Sequence, residues 1–389
     1  MAMRKRWSCF LIALFCLTGC GKNGTEEAHR KAVHTNGIES QSEIGILFSG
    51  NVDKLYFYDI SQKITYPLCA RPNCTHDSEE TCFSRIFSRL GSNPLLYDNK
   101  LYYTALNEKN GKISLMSADL DGENQKELAE LSTVPDGMFL YNGKIYMPLQ
   151  QFLSQGTGSG DYKSSSGIAM VDLETGKRET MFRAEGGMDS TAVWYIKEIY
   201  DGKLFFMLDG GGTDYSDVER GYYCLDLETK ELETMDFDSD CLDTCWINGK
   251  AVFYDGVKEQ ENPEAEKHYW LYDLETNEKT CLTSYRLWGP GILTEKGYLY
   301  IEWDNTEYKQ GVWNLYETES GKKTELFSFV KQELFTPRFL FEEENREMIG
   351  GFYETKEEGK GWYKISVDDF ISGKKNYELM LNYFFWNKI

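Results

Sequence analysis

The chain has 389 residues, of which 41% are hydrophobic and 15% are aromatic, so it contains enough apolar material for a large buried core. The aromatic residues are mostly Tyr and Phe, which favour β-strands. The formal net charge of −21 at pH 7 repels nucleic acid and anionic lipid headgroups, and we therefore expect no nucleic-acid partner.

The N-terminus has the pattern of a bacterial export signal. Arg4, Lys5 and Arg6 precede an apolar run that is too short to span a bilayer as a mature helix. The segment Leu17-Thr18-Gly19-Cys20 follows directly and resembles the lipobox of bacterial lipoproteins. The resemblance implies diacylglycerol on the Cys20 thiol, cleavage before Cys20 and usually a third acyl chain on its amine, which would anchor the chain stably. The alternative is an ordinary cleaved signal peptide with a chance cysteine.

These features predict three regions along the chain. Residues 1–19 form a signal peptide, and residues 20–43 comprise the lipidated Cys20 and a flexible tether. The tether is polar and cannot bury enough surface to fold alone. Residues 44–389 form the folded domain, which we expect on the extracytoplasmic face of the cell membrane, held there by the lipid anchor.

Two short phrases recur along the folded region. The first is a two-residue turn before a lysine, at Asn142-Gly143-Lys144, Asp201-Gly202-Lys203 and Asn248-Gly249-Lys250. Such turns take positive φ and join antiparallel strands in hairpins. The second is Asp-Leu-Glu-Thr, which begins at Asp172, Asp226 and Asp273. We expect each of these aspartates to end a strand and to cap a tight turn.

The two phrases alternate, and this predicts a repeated unit of four antiparallel strands. Asp172, Asp226 and Asp273 are separated by 54 and then 47 residues, a period typical of β-propeller blades. The sequence therefore predicts an all-β propeller of seven blades, with six or eight as alternatives. Full units are expected at about 93–131, 137–183, 194–237, 242–283, 289–329 and 336–381. A first unit contains only three predicted strands, and we expect residues 383–386 to supply its fourth.

The lipobox and the repeated Asn-Gly-Lys and Tyr-Asp-Leu-x-Thr phrases together resemble the TolB-like and related uncharacterised propeller lipoproteins of Gram-positive anaerobes. The resemblance covers about residues 44–389 and implies a propeller architecture. It implies no catalytic residue, because no catalytic motif of such families is present.

A cysteine-rich insert occupies residues 69–82 and contains Cys69, Cys74, His76 and Cys82. Three thiolates and one imidazole suit tetrahedral zinc, although the spacing departs from the common Cys-x2-Cys pairs. A disulfide, Cys69–Cys74 or Cys74–Cys82, is the competing interpretation for an exported protein. In either case we expect a structural clip. The protein otherwise requires no cofactor, so a structural zinc is the one candidate.

Four further cysteines are Cys224, Cys241, Cys245 and Cys281. With the three in the insert they make an odd number after processing, so at least one is unpaired or binds metal. The sequence does not predict how these four pair.

The second connection of most units is long, and in a propeller these connections emerge on one face with the blade-to-blade links. This face is acidic and aromatic, which would suit a sugar or a cation. The residues predicted to bind a ligand are Phe152, Asp209, Asp214, Tyr215, Trp288, Trp303 and Asp304, and Tyr308 lies nearby. Ordinary variable loops are the alternative.

The predicted function is therefore a non-catalytic propeller that binds a ligand or a protein. Two alternatives stay open: an enzyme that acts on glycans through loop carboxylates, and a scaffold subunit of an envelope complex. The sequence contains no His-Glu-x-x-His and no Gly-x-Ser-x-Gly motif.

Overall fold

The computed structural model of this chain is a β-propeller of seven antiparallel blades with almost no helix in the residues that it describes. Residues outside the description are 1–32, 35–39, 43, 50–53, 70, 77–81, 87–93, 108–109, 136, 155–161, 186–191, 211–220, 236–241, 248, 255–266, 286–290, 305–307, 342–346, 353–360 and 383–389.

Blades 1 to 4 follow one another along the chain, and each contains four consecutive strands. Blade 1 consists of β2 (Ser40–Ser42), β3 (Gly45–Ser49), β4 (Leu55–Asp59) and β5 (Ile64–Pro67). Blade 2 consists of β6 (Leu95–Tyr97), β7 (Lys100–Asn107), β8 (Lys112–Asp119) and β9 (Lys126–Leu131). Blade 3 consists of β10 (Phe139–Tyr141), β11 (Lys144–Ser154), β12 (Tyr162–Asp172) and β13 (Arg178–Glu185). Blade 4 consists of β14 (Ala192–Tyr200), β15 (Lys203–Gly210), β16 (Gly221–Asp226) and β17 (Leu232–Thr234).

Blades 5 to 7 repeat the arrangement. Blade 5 consists of β18 (Leu242–Ile247), β19 (Lys250–Tyr254), β20 (Lys267–Asp273) and β21 (Glu278–Tyr285). Blade 6 consists of β22 (Gly291–Thr294), β23 (Gly297–Trp303), β24 (Gln310–Tyr316) and β25 (Lys323–Val330). Blade 7 consists of β26 (Phe335–Phe341), β27 (Glu347–Phe352), β28 (Gly361–Ser366) and β29 (Glu378–Asn382). The described helical segments are α1 (Phe83–Ile86), α2 (Val367–Ile371) and a 3-10 turn (Lys331–Glu333).

Each blade is buried on both faces because its neighbours pack against it. On β15, Leu204 and Phe206 pack toward blade 3, whereas Phe205 and Met207 pack toward blade 5. All four side chains are buried. Continuous apolar runs in the strands are therefore the expected pattern for blades, in contrast to the alternation of a sheet with one solvated face.

The Asn-Gly and Asp-Gly turns join the first and second strands of their blades, as the sequence predicted. Asn142 and Gly143 both have positive φ, 48° and 69°, between the paired residues Tyr141 and Lys144. This is the type I′ geometry that matches the twist of the flanking strands. Asp201 and Gly202 repeat it in blade 4.

The Asp-Leu-Glu-Thr phrases form the turns between the third and fourth strands. The Asp172 Oδ1 accepts hydrogen bonds from the Thr175 backbone N–H and hydroxyl, both at 2.8 Å. Gly176 then takes the left-handed conformation, with φ of 69°. The backbone N–H of Leu173 donates to the Gly143 carbonyl at 3.0 Å, so the two tight turns of a blade lie together on one face.

The predicted origin of the fourth strand of blade 1 is wrong. The strand is β2, which pairs with β3 in the register Ser40 with Leu47 and Ser42 with Gly45. Residues 383–386, which were expected there, lie outside the described residues. The strand Ser-Gln-Ser carries no apolar pattern and joins the sheet through backbone hydrogen bonds, so hydrophobic periodicity did not reveal it.

Two strands therefore fall within residues 20–43, where the sequence predicted a tether. Besides β2, the strand β1 (Val33–His34) pairs with Phe139 and Leu140 of β10 and gives blade 3 a fifth strand. The first strands of blades 1 and 2 contact each other, as do those of successive blades from 3 to 7, and β1 also contacts β2 and β6. The segment before the domain thus reaches the centre of the ring.

Blades 7 and 1 close the ring through side-chain packing. Tyr56 and Tyr58 of β4 pack with Ile349 and Trp362 of blade 7, and all are buried. The Thr65 hydroxyl donates to the Met380 carbonyl at 2.6 Å across the same junction. None of the described helices is long and apolar enough to cross a membrane.

Candidate metal centre and ligand-binding face

The structure brings Cys69, Cys74, His76 and Cys82 together. One ligand atom from each residue lies within 4.8 Å of the corresponding atoms of the other three. The Nδ1 of His76 is 3.3 Å from the Sγ of Cys82. Cys82 is buried, and the other three are half-buried. We call these four residues the Cys3His cluster.

Local backbone geometry turns the four side chains toward one point. Cys69 follows Leu68, whose N–H continues the pairing of blade 1 by donating to the Leu55 carbonyl at 2.9 Å. Asn73 and His76 both have left-handed backbone conformations, with φ of 59° and 58°. These two reversals fold the segment back on itself, which lets Cys74 and His76 approach Cys69.

Cys82 directly precedes α1 and contacts a side chain of this helix. Its Sγ lies 2.9 Å from the hydroxyl oxygen of Ser84, which is itself buried. A hydroxyl at this distance can donate to a thiolate. Ser84 could not be identified from the sequence, because a serine two residues after a cysteine forms no recognisable pattern.

The pKa values of two cluster thiols move in opposite directions. Burial opposes the charged form of Cys69, but hydrogen bonds from the backbone of Arg71 and Phe83, and then from Cys74 and Cys82, lower the pKa of its thiol. Burial raises the pKa of the Cys82 thiol, although its hydrogen bond with the Ser84 hydroxyl partly lowers it. Burial, and then the nearby Cys82, raise the pKa of Tyr56 to about 12.

The cluster lies at the junction between blade 1 and blade 2. Phe83, the residue after Cys82, is buried and packs edge-to-face on Tyr103 of β7 with ring centroids 5.9 Å apart. A Cβ at Gly122 would lie 2.3 Å from the Phe83 ring, so only glycine fits at this point of the blade 2 turn. Leu68 and Leu101 belong to the same buried group.

The two faces of the ring use their polar side chains differently. On the face of tight turns, the carboxylates are engaged within the turns. Backbone N–H donation from Thr175 and Thr229 lowers the pKa of Asp172 and of Asp226. Hydrogen bonds and ion pairs lower the pKa of six described carboxyl groups, namely Asp59, Asp119, Asp172, Glu179, Asp226 and Asp369.

The opposite face carries the long second connections, and only part of the predicted ligand set lies within the described residues. Asp214, Tyr215 and Trp288 fall outside them. Phe152 lies near the end of β11, opposite Ser164, and Asp209 lies on β15, opposite Val193. Trp303 and Asp304 are the two predicted residues whose side chains are described.

Trp303 packs against two other aromatic rings. Tyr308 contacts it edge-to-face at 5.5 Å between centroids, and Phe329 does so at 5.6 Å. Tyr308 is 37% exposed and has φ of 51°. The Asp304 Oδ1 accepts from the Gln310 backbone N–H at 3.4 Å. The exposed ring of Tyr308 is thus fixed on Trp303, in the same connection as the Asp304 carboxylate.

The remaining cysteines lie apart from the cluster. Cys224 is buried on β16, Cys245 is half-buried on β18, and Cys281 is exposed on β21. Burial raises the pKa of the Cys224 thiol to about 11, which makes it an inert packing group. Cys241 lies outside the described residues.

Comparison with known proteins concerns the fold. No family model matches the sequence, and no curated protein sequence matches it. An oligogalacturonate lyase in complex with manganese superposes with a TM-score of 0.52 at 13% identity, over 87% of this chain and 92% of that chain. TolB from Acinetobacter baumannii gives 0.35 at 16% identity, over 87% and 78%.

The β-propeller domain of the Trilobed protease from Pyrococcus furiosus, described as having an open velcro topology, gives a TM-score of 0.43 at 11% identity. It covers 91% of this chain and 97% of that chain. At these identities the likeness concerns architecture alone, since propellers serve many unrelated functions. The chain is a β-propeller.

Proposed function

We propose that this chain is a lipid-anchored protein of the extracytoplasmic face of the cell membrane, whose propeller binds a glycan or an envelope protein without catalysis. The observation that carries the proposal is the exposed Tyr308 ring, held edge-to-face on Trp303 beside Asp304 on the long-loop face. A fixed aromatic face, with a carboxylate in the same connection, suits stacking and hydrogen bonding to a sugar, or to a polar side chain of a partner.

The electrostatics of the described carboxyl groups support binding over catalysis. A general acid at neutral pH needs a raised carboxyl pKa. The pKa values of Asp172, Glu179 and Asp226 are instead lowered by hydrogen bonds or ion pairs in turns and on strands. These groups are therefore suited to holding turns and strand edges.

Anchoring is tested by separating membrane and soluble fractions of cells that express the full chain. We expect the protein in the membrane fraction, with an acylated Cys20 detected by mass spectrometry. Cys20→Ala should move it to the soluble fraction. Recovery of Cys20→Ala in the membrane fraction would overturn the lipid anchor.

Ligand binding is tested with the full chain in detergent micelles on an array of defined cell-wall and host oligosaccharides. We expect Tyr308→Ala to weaken binding about 5- to 10-fold through loss of the stacked ring. The matched control is Tyr97→Ala, since Tyr97 is also 37% exposed but precedes the tight Asp98-Asn99 turn on the other face.

Equal binding by both variants would place the ligand elsewhere. Absence of glycan binding, together with a specific envelope protein whose binding Tyr308→Ala weakens, would favour the scaffold alternative. Turnover of a bound glycan that Asp304→Asn or Asp209→Asn abolishes would overturn the non-catalytic assignment. Ligand binding requires no cofactor in this proposal, and the cofactor for which the chain offers ligands is a structural zinc at the Cys3His cluster.

A further inference from the structure

We propose that the Cys3His cluster binds one zinc ion and that this ion fixes the link from blade 1 to blade 2. The inference goes beyond ligand binding and does not depend on it, because it concerns a different group of residues. It rests on the convergence of four side chains from a segment that has little secondary structure of its own.

The distances fit a metal centre better than a disulfide. Zinc binds sulfur at about 2.3 Å and nitrogen at about 2.0 Å, so ligand atoms in a tetrahedron lie about 3.5 Å apart. The His76 Nδ1 to Cys82 Sγ distance is 3.3 Å, and all four ligand atoms lie within 4.8 Å of one another. A disulfide needs about 2.05 Å between sulfurs, whereas Cys69, Cys74 and Cys82 are free.

The chemical types of the four ligand atoms also indicate which kind of metal site they form. Three sulfurs and one imidazole nitrogen in a tetrahedral arrangement are typical of structural zinc. Four protein ligands fill the coordination sphere and leave no position for a reactive water. The Ser84 hydroxyl, 2.9 Å from the Cys82 sulfur, supplies the outer hydrogen bond that metal-bound groups commonly accept.

A catalytic cysteine is the main alternative use of these residues. Cys82 and His76 lie at the distance of a thiol and its activating base. However, Cys82 is only 1% exposed, and the buried Phe83 and Ser84 follow it directly. A substrate could not reach the Cys82 sulfur, which is therefore suited to a metal and not to nucleophilic attack.

The position of the Cys3His cluster in the chain indicates which parts of the fold the ion would connect. The link between β5 and β6 runs from residue 68 to residue 94, and the other described blade-to-blade links are much shorter. Cys69 is joined to blade 1 through Leu68, while Cys82 leads directly into Phe83, which packs on Tyr103 of blade 2. One ion bound by both Cys69 and Cys82 would therefore tie the link to blade 1 and to blade 2.

The first experiment measures the metal content of the full chain purified without chelators. We expect about one zinc per chain, and Co(II) replacement should produce thiolate-to-cobalt absorption in the visible range. His76→Ala and Cys82→Ser should each lose the zinc. Cys281→Ser is the matched control, since this exposed cysteine lies on β21 and should leave zinc content unchanged.

Less than about 0.2 zinc per chain in the unmodified protein would overturn the site, whether or not the variants fold. Alkylation and mass spectrometry of the same sample would then show whether a Cys69–Cys74 or Cys74–Cys82 disulfide replaces it.

The second experiment tests the role of the ion by hydrogen exchange before and after chelation. We expect faster exchange in α1 and β6, with β22 to β25 unchanged. Chelation that removes the zinc and leaves exchange at α1 and β6 unaltered would overturn the proposed link to blade 2. Neither experiment involves Tyr308, so failure here leaves the ligand-binding proposal intact.

Discussion

Blade 1 has two junctions, and they are held in different ways. At its junction with blade 2 the chain is continuous, and the long link carries the Cys3His cluster and Phe83. At its junction with blade 7 no described strand is exchanged, and the contact consists of buried aromatic and aliphatic side chains with Lys364 and Thr65. The comparison indicates that the closing junction depends on side-chain packing, one hydrogen bond and a buried lysine, whereas the neighbouring one combines packing with candidate metal ligands.

Lys364 is the unusual group at the closing junction. It lies on blade 7, its side chain is 8% exposed, and its Nζ is 3.2 Å from Glu347 and 3.4 Å from Glu378. The same ammonium lies 5.6 Å from the ring centroid of Tyr58 on blade 1. Burial opposes its charge, but Glu347 and then Tyr58 raise the pKa of Lys364 overall.

The largest expected effect is at the centre of the closing junction. Trp362→Ala removes a buried indole between Tyr58 and Leu381 and should lower the free energy of unfolding by about 3–5 kcal/mol. Urea denaturation measures this loss. Trp313→Ala is the matched control, since Trp313 is equally large and buried but lies on blade 6, where it packs against Phe370 of blade 7 and belongs to a different cluster from the closing junction.

Both tryptophan variants should lose similar stability, but only Trp362→Ala should speed hydrogen exchange in β5 and β29. The reason is that this variant weakens the contact that closes the ring. Equal exchange in the two variants would contradict the dependence of closure on this packing.

The second-largest loss of stability is expected on removal of the buried Lys364 ammonium. Lys364→Ala leaves Glu347 without its partner and should cost about 3 kcal/mol, at the low end for buried pairs because Glu378 is half exposed. The double variant Lys364→Met with Glu347→Gln should restore most of this loss, since it removes both charges. A double variant that is less stable than Lys364→Ala would contradict the explanation.

This contribution also has a defined pH dependence. A lysine whose pKa is raised in the folded state above the usual 10.5 adds stability below pH 10.5 and loses it as the pH rises through the folded pKa. The stability difference between the natural chain and Lys364→Met should therefore shrink above pH 10.5, measured by urea denaturation at each pH.

A comparable loss of stability is expected at the junction between blade 1 and blade 2, where the Cys3His cluster lies. If zinc is bound, chelation should lower the free energy of unfolding by about 2.7 kcal/mol relative to protein held at a free zinc concentration 100 times the Kd. Thermal denaturation with and without chelator measures it. The control variant Cys281→Ser should show the same zinc-dependent difference. A melting temperature that does not depend on zinc would show that a metal does not stabilise the junction between blades 1 and 2.

The smallest effect tests one hydrogen bond. Thr65→Val removes the donor to the Met380 carbonyl at the closing junction and should cost about 1 kcal/mol. Thr324→Val is the control, because its buried hydroxyl has no hydrogen-bond partner among the described residues. A loss of the same size in Thr324→Val would show that the Thr65 hydrogen bond contributes little.

Much of the fold could be predicted from local sequence. Asn142-Gly143 and Asp172 to Gly176 form turns through their own backbone preferences and short-range hydrogen bonds, so each turn is determined within a few residues. The spacing of those turns predicted six complete blades and the existence of a seventh. Strand β2 was missed because Ser40–Ser42 joins its sheet through backbone groups that any sequence possesses.

The candidate sites were predicted less completely. The ligand types in the insert pointed to Cys69, Cys74, His76 and Cys82, but their spacing did not decide between a metal and a disulfide. The approach of Cys82 to His76 depends on left-handed turns at Asn73 and His76 and on the packing of Phe83 against Tyr103. On the long-loop face, the packing of Trp303 between Tyr308 and Phe329 was equally inaccessible to sequence reasoning.

The sequence by itself determined the repeated unit, its turns and the β-propeller class, because these follow from short-range backbone chemistry and from strands that are apolar on both faces. Only the tertiary structure decided how the ring closes, where Val33–His34 lies, and that the Cys3His cluster sits between blades 1 and 2. These features bring together residues that are distant in sequence or joined by irregular backbone. Their geometry is set by the packing of whole blades, for which no local pattern exists.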